Sequence, residues 1–327
     1  MTDRTEQLQA SIRDARDRGE RLAIAGSGSY SAYRPTVIAE ALSTREHTGI
    51  VSYEPTEMVV TVRSGTRLSE LESMLGSEGQ KPGVELPRLS ADATIGGAIA
   101  MGLSGSSRPF TGAIRDFVLG VRMINGLGDD LKFGGQVMKN VAGYDLPRLL
   151  VGSRGSLGLL LEISLRVLPA AEAQLMLVFE KPGLPNAVAF TNQLMVAAEP
   201  LTGASYYRGQ LHLRFCGREG TMLRLRQQLG GERDSSGWWT DLQQWRFPWG
   251  VPRWRNYREQ LAVEPETGGD WLADWNGGLV WSVDREPTSA SAVDLQQVFP
   301  ALGVRGEIEQ RLRKAFDPQG IFRGGTS

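Results

Sequence analysis

Four stretches of this sequence hold residues whose types and spacing could do chemistry. The first, Gly26-Ser27-Gly28-Ser29, follows the apolar run RLAIAG. Successive small residues leave backbone N–H groups and hydroxyls free to point at an anion, so such a loop can hold a phosphate. As a dinucleotide fingerprint it is incomplete, because Ser31 stands where the third Gly belongs and Pro35 interrupts the helix that should follow. On its own it reads as a plain turn. The second stretch runs from Thr94 through Ile95, Gly96, Gly97, Ala98 and Gly102 to Ser104 and Gly105. Small residues at this spacing let backbone approach a flat ligand with no side chain between, and they serve close helix packing equally well. The third, KNVAGYDL (139 to 146) leading into LLVGSRGSLG (149 to 158), reads as a glycine-rich connection between a helix and a strand. In the fourth, QLHLRF (210 to 215), alternation puts His212 and Arg214 on one face of a strand. A base and a carboxylate clamp for a hydroxy acid would need those two residue types, but the plainer expectation is the solvated face of a sheet.

The elements that position these stretches are legible from periodicity. Leu8, Ile12 and Ala15 share a face of a helix that stops at Gly19, and Leu68, Leu71 and Leu75 do the same before Gly76 or Gly79. Val59 to Val62 is a β-branched run after a turn at Pro55; FVLGVRMINGLGDDLKFGG (117 to 135) reads as two strands joined by a Gly and Asp turn, and LGLLLEISLRVLP (157 to 169) as another strand. LMLVFE, QLHLRF and GLVWSVD are later strands, and TMLRLRQQLG and RGEIEQRLRKAF are helices. The charged runs RDARDR (13 to 18) and EIEQRLRK (307 to 314) read as solvated helix faces. Strands and helices alternate without a fixed repeat, which makes the fold class α+β.

Composition narrows the function. Of 40 glycines in 327 residues, 15 fall between Gly83 and Gly158, whereas all eight tryptophans come after position 237. Such different halves indicate two domains meeting near Pro169. Cys216 is the single cysteine, so the chain supplies neither a disulfide nor the thiolates of an iron–sulfur cluster, and His47 and His212 are its two histidines; no metal site is expected. A formal net charge of -1 gives no reason to expect nucleic acid. The charged N-terminus lacks a signal sequence and no run is apolar enough for a membrane helix, so we expect a cytoplasmic protein, or one peripheral at the inner membrane through partner subunits. In GWWTDLQQWRFPWGVPRWRNY (237 to 257) five tryptophans alternate with Arg246, Arg253 and Arg255, a composition suited to a partner interface, with Trp249 and Trp254 expected to be exposed and some of the rings in the core.

In order along the chain, AGSGS (25 to 29), ATIGGAIAMGLSG (93 to 105), GAIRDFVLGVRMINGLGDDLKFGG (112 to 135), KNVAGYDLPRLLVGSRGSLGLLLEISLRVLP (139 to 169) and FDPQGIF (316 to 322) resemble the FAD-linked oxidases of the vanillyl-alcohol oxidase or p-cresol methylhydroxylase (PCMH) type. More narrowly, nearly the whole chain is similar to the family of E subunits of bacterial glycolate oxidase, the FAD-binding chain of a three-subunit enzyme. The resemblance implies a two-subdomain PCMH-type FAD-binding domain over 1–169, an α+β cap or partner-interaction domain over 170–300, and a tail over 301–327 that returns to the FAD domain. It implies pyrophosphate contacts from Gly26, Ser27, Gly28, Ser29, Thr94, Ile95, Gly96 and Gly97. Ala98, Gly102, Ser104 and Gly105 would pass beside the flavin, and Gly158, Glu162 and Ile163 would lie by the adenine end. Arg115, Asp116, Gly143 and Tyr144, inside the matching phrases, are further candidate cofactor contacts. The usual ending GIFNPG departs here, with Arg323 for Asn and Gly324 for Pro, and no His lies in the FAD motifs to carry a covalent flavin.

The activity this implies is oxidation of glycolate to glyoxylate by a FAD-dependent oxidoreductase complex. Its partners would be a paralogous FAD-containing catalytic subunit and an iron–sulfur subunit that takes the electrons on. A His-rich metal site, carried by related D-2-hydroxy-acid dehydrogenases, cannot be rebuilt with His212 alone in the second half. The alternatives are a self-sufficient FAD-dependent dehydrogenase of D-lactate or another small 2-hydroxy acid, and a non-catalytic scaffold of the same fold.

Overall fold

The computed structural model describes residues 2–30, 39–135, 145–249, 270–282 and 307–322, with backbone alone for 254–257, 292–294 and 304–306. Pro35, Gly143, Tyr144, Arg253, Arg323, Gly324 and the side chains of Trp254 and Arg255 lie outside the described residues.

Helix α1 (Thr5–Arg18) buries Leu8, Ile12 and Ala15 and ends at Gly19, whose φ of 67° is the left-handed conformation that closes a helix cheaply only in glycine. Strands β1 (Leu22–Ala25) and β2 (Glu40–Ser43) pair in parallel. Next come β3 (Ile50–Glu54), β4 (Val59–Arg63), α2 (Leu68–Ser77), β5 (Gln80–Pro82), α3 (Ile95–Met101) and α4 (Arg108–Thr111). The hairpin β6 (Val118–Ile124) and β7 (Asp130–Gly134), then α5 (Leu146–Leu150) and β8 (Leu159–Pro169), complete a six-stranded antiparallel sheet in the order β3-β4-β8-β6-β7, with β5 on the far end of β8.

Strand β8 is nearly continuously apolar because both its faces are covered. Leu160, Ile163, Leu165 and Val167 belong to the main core, while Leu159 and Leu161 pack with α1. The charged run 13–18 is a largely solvated face, as its spacing predicts, with Arg13, Asp14, Asp17 and Arg18 exposed and Arg16 half-buried. Arg16 Nη1 donates to the Leu127 carbonyl at 2.7 Å and Arg13 Nε to the Gly128 carbonyl at 3.2 Å, which pins the helix to the β6–β7 turn.

The second half is an eight-stranded sheet. It is built from β9 (Ala173–Glu180), β10 (Leu201–Tyr207), β11 (Gln210–Gly217), β12 (Glu232–Arg233), β13 (Trp254–Tyr257), β14 (Trp271–Asp274), β15 (Leu279–Ser282) and β16 (Ala292–Asp294), in the order β12-β9-β11-β10-β14-β15-β13-β16. Helices α6 (Leu184–Val196) and α7 (Glu219–Leu229) bury apolar stripes in its own core with Leu211, Leu213 and Phe215, and α8 (Trp238–Gln243) packs with the other core. Among the described residues no helix is long and apolar enough to cross a membrane.

After α9 (Val304–Phe316) the chain returns to the first half. Leu22 N–H donates to the Ile321 carbonyl at 2.8 Å and Gly126 N–H to the Phe316 carbonyl at 2.8 Å, while Ile321 and Phe322 join the α1 cluster. Buried Asp317 organises this return by accepting the N–H groups of Ile321 and Phe322, each at 2.9 Å. Removing a carboxylate that satisfies two buried donors costs about 1–3 kcal/mol. Asp317→Ala should therefore lower the unfolding free energy by that amount, read as a lower denaturant midpoint without a change in the slope of the transition.

Candidate functional site

Strand β1 feeds directly into the Gly26–Ser29 loop, where Gly28 has φ 78° and Ser27 and Ser29 share a hydroxyl hydrogen bond of 2.9 Å. The loop faces the start of α3. Thr94 caps that helix by accepting from Gly97 N–H at 3.3 Å, and a side chain at Gly26 would run into the Thr94 hydroxyl. Helix α3 in turn lies against the end of β4, where Gly96 N–H donates to the Ser64 carbonyl at 2.8 Å and Ile95 N–H to the Thr66 carbonyl at 2.9 Å. A Cβ on Gly96 would sit 2.6 Å from Ser64 Cβ, so only glycine permits the approach.

Between these elements lies a cavity of about 350 Å³. Its walls are the 26–29 loop, Gly96 and Gly97, Ala100 and Met101, and, from the opposite side, Arg154, Gly155, Gly158 and Leu160. Ser64 Oγ, at the cavity wall, is buried and has no hydrogen-bond partner. A buried hydroxyl without a partner is costly unless a ligand satisfies it. The free backbone of the loop, the unblocked glycines and this hydroxyl fit the phosphate and ribose parts of a dinucleotide, and the apolar wall fits a ring. FAD therefore fits the residues present.

The expected contacts divide between this cavity and places away from it. Gly26, Ser27, Gly28, Ser29, Thr94, Gly96, Gly97 and Gly158 line it, and Ile95 and Ala98 lie in the core just behind. Gly102, with φ 64°, closes α3 against Gly152. Ser104 Oγ accepts from Ile114 N–H at 3.2 Å within the first half, and the Gly105 carbonyl accepts from Trp275 Nε1 at 3.0 Å, which puts Gly105 at the seam with the second half. Glu162 accepts from Arg122 Nη1 at 2.8 Å, and Ile163 is fully buried in the main core; neither lines the cavity. Arg115 and Asp116 are exposed, the latter accepting from Ala113 N–H at 3.1 Å. Motif reading missed Tyr30, Thr44, Ser64, Met101 and Arg154, which reach the cavity from separate elements. For Tyr30 its place beside the loop was a signal; nothing local marks Ser64.

The face of β11 that alternation predicts to be solvated is covered, and that expectation is corrected. His212 is buried, stacks on Trp238 with ring centroids 4.1 Å apart, and hydrogen-bonds through Nδ1 to Asp234 Oδ2 at 2.7 Å. Burial works to raise the Asp234 pKa, yet the bonds from His212 and Ser236 prevail and hold it at about 2. Arg214 lies over Trp239 and makes a bidentate pair with Glu85 of the first half, at 3.0 and 2.9 Å. Burial pushes Glu85 up, but the guanidinium and the Ser107 N–H outweigh it and leave its pKa below the usual range. With its charge so committed, Arg214 is not free to clamp a substrate carboxylate. Trp249 is also less exposed than expected: it is half-buried against Phe247 and Tyr207, and Trp239 and Trp245 are core residues.

A second seam contact joins Asp274 Oδ2 to Ser106 Oγ at 2.7 Å. Full burial raises the Asp274 pKa to about 7, against the hydrogen bonds from Ser106 and Trp275 N–H. Among the described residues no three His, Cys, Asp or Glu side chains gather as metal ligands would.

Comparison with known proteins agrees with this geometry. The family described as FAD binding domain matches residues 2–134. The chain is 38% identical over 322 residues to glycolate oxidase subunit GlcE of Escherichia coli (strain K12), a match that covers 93% of this chain and 91% of that protein. It is 32% identical over 127 residues to glycolate oxidase subunit GlcD of Bacillus subtilis (strain 168), covering 38% of this chain and 26% of that one. A D-lactate dehydrogenase of Anaerostipes hadrus is 30% identical over 149 residues, 45% of this chain and 30% of that protein. Among solved structures, an alkyldihydroxyacetonephosphate synthase superposes with a TM-score of 0.68 at 14% identity, covering 98% of this chain and 74% of that one, a likeness of fold.

Two outcomes follow from the site. Ser64→Ala removes a buried hydroxyl with no protein partner, so the unfolding midpoint of the apoprotein should rise while FAD affinity falls about tenfold, the worth of one hydrogen bond. Fluorescence titration of the apoprotein with FAD measures it. Because the folded pKa of Asp274 lies above its ordinary value of 3.8, its contribution to stability is full below that value and is lost as pH rises toward 7. Asp274→Asn should flatten this part of the stability profile, read by denaturation at a series of pH values.

Proposed function

The chain belongs to the FAD-binding family of glycolate oxidase E subunits, and we propose that it works as the FAD-binding subunit of a multi-subunit enzyme that oxidises glycolate to glyoxylate. The observation that carries this reading is the glycine-walled cavity between the Gly26–Ser29 loop and α3, with the unpartnered Ser64 hydroxyl at its wall. The loop and the start of α3 would hold the pyrophosphate, and Ser64 would donate to the cofactor. Bound FAD supplies an acceptor for the hydride that leaves the hydroxyl-bearing carbon.

Oxidation of glycolate releases two electrons and two protons, and the electrons have to leave the flavin. With Cys216 alone, this chain cannot build an iron–sulfur cluster, so we assign that step to an iron–sulfur partner subunit. Neither His212, buried under Trp238, nor Arg214, tied to Glu85, lines the flavin cavity, so the proton acceptor and carboxylate clamp are assigned to a paralogous flavin subunit. Local likeness to GlcD supports a kinship between two such chains. In this reading residues 1–169 form the FAD-binding domain, 170–300 the cap that meets partners, and 301–327 the returning tail. A self-sufficient D-lactate dehydrogenase is the weaker reading, because the D-lactate dehydrogenase match covers less than half of this chain.

The purified chain should carry the visible absorption of bound flavin yet reduce an artificial dye with glycolate slowly or not at all. Co-expression with a flavin partner and an iron–sulfur partner should restore turnover. Brisk turnover by the isolated chain would establish the self-sufficient dehydrogenase instead, and a colourless protein that cannot be loaded with FAD would leave only a scaffold.

A further inference from the structure

Among the described residues that line the flavin cavity, Arg154 is the one that carries a charge. The Gly26–Ser29 loop and the start of α3 offer backbone N–H groups and hydroxyls, all of them neutral. Both phosphates of a dinucleotide's pyrophosphate are ionised, and a charge drawn into a partly dry cavity is costly unless a cation pairs with it. Neutral donors satisfy the oxygens without cancelling their charge.

The backbone at Arg154 is also out of the ordinary. Ser153 to Ser156 form a turn closed by the Ser156 N–H on the Ser153 carbonyl at 2.9 Å, and both central residues have positive φ, 53° at Arg154 and 77° at Gly155. Turns of this hand favour Asn, Asp or Gly at both places, because left-handed backbone is sterically costly for a long side chain. Arginine is held there by its surroundings. Its N–H donates to the Ala100 carbonyl at 2.8 Å and the Gly152 N–H to the Ile99 carbonyl at 3.1 Å, which docks the turn on the end of α3, while Gly155 faces Ile24 of β1. Strained residues that their surroundings over-determine cluster at ligand sites, and this one stands at the cavity wall.

We propose, on the FAD-binding reading above, that Arg154 is the counter-charge of the cofactor, its guanidinium pairing with the pyrophosphate from the wall opposite the Gly26–Ser29 loop. The loop then supplies hydrogen bonds and Arg154 supplies charge. A planar guanidinium can grip two phosphate oxygens at once and stays protonated at any ordinary pH. Because the turn is fixed to α3 and lies against β1, the arginine stem starts from the same two elements that carry the neutral donors. This role is independent of which acid the enzyme oxidises and of whether the flavin of this chain turns over.

The full-length apoprotein is titrated with FAD at low and at high salt, followed by quenching of flavin fluorescence. In the wild type the affinity should fall as salt rises, because Arg154 is half-buried and its ion pair is screened. Arg154→Asn suits the left-handed backbone and removes the charge; it should bind FAD about tenfold more weakly, the worth of one charge-assisted hydrogen bond, and lose most of the salt response. Arg154→Lys keeps the charge without the fork and should recover part of both. Unchanged circular dichroism certifies the fold of each variant. A wild type that takes up no FAD overturns this role together with the FAD-binding reading, whereas FAD uptake with unaltered affinity in Arg154→Asn overturns this role alone. A wild-type affinity indifferent to salt also overturns it, whether or not the Asn variant folds. A weakened Arg154→Asn that keeps the wild-type salt response, or a Lys variant that recovers nothing, would make the side chain a stacking or packing element and overturn the pairing with pyrophosphate.

Discussion

The site depends on one backbone-to-backbone contact, the Gly96 N–H on the Ser64 carbonyl at 2.8 Å. It brings the N-terminus of α3 against the end of β4 with no side chain between them, and thereby fixes where Thr94 and Gly97 stand. Thr94 in turn sets the distance to the Gly26–Ser29 loop, since its hydroxyl occupies the place a Gly26 side chain would need. Three stretches far apart in sequence meet within one cavity because glycine stands at each close approach.

How much of this was legible in the sequence follows from the kind of information each feature carries. Amphipathic spacing in α1 and α2 identifies buried positions directly, because the helical period is local. Glycines likewise point at the cavity, since Gly26 and Gly28 of the first loop and Gly96, Gly97, Gly155 and Gly158 of the glycine-rich stretch line it. Ser64 and Thr44 were not legible, because they reach the cavity only through strand pairing and a turn that no nearby residue pattern encodes. On β11, alternation separated two faces correctly but could not say what covers each. The cover comes from α8, a helix of six residues beginning with two tryptophans, which is too short for a periodic signal. Arg214 then found its partner 129 residues away, at Glu85.

The seam between the halves carries a largely buried ion pair, Glu85–Arg214, beside two further hydrogen bonds. Glu85–Arg214, Ser106–Asp274 and the Trp275–Gly105 bond all reach the 104–108 segment or its immediate neighbour, just beyond α3. An ion pair such as Glu85–Arg214 contributes little net stability relative to apolar packing, but removing one partner leaves a buried charge uncompensated. These contacts therefore specify a relative placement of the second half more than they strengthen it, and that placement includes the segment leaving α3.

The returning tail has a consequence for the order of assembly. The first residue of β1 is held by the Ile321 carbonyl, and β1 runs without interruption into the Gly26–Ser29 loop. On a ribosome, the strand that leads into this loop is made well before the group that anchors it. Until Asp317 to Phe322 have emerged, β1 lacks that bond and the cover of Ile321 and Phe322 over the α1 cluster. The strand that leads into the cavity is thus completed by residues of the returning tail, so the first half is not self-contained.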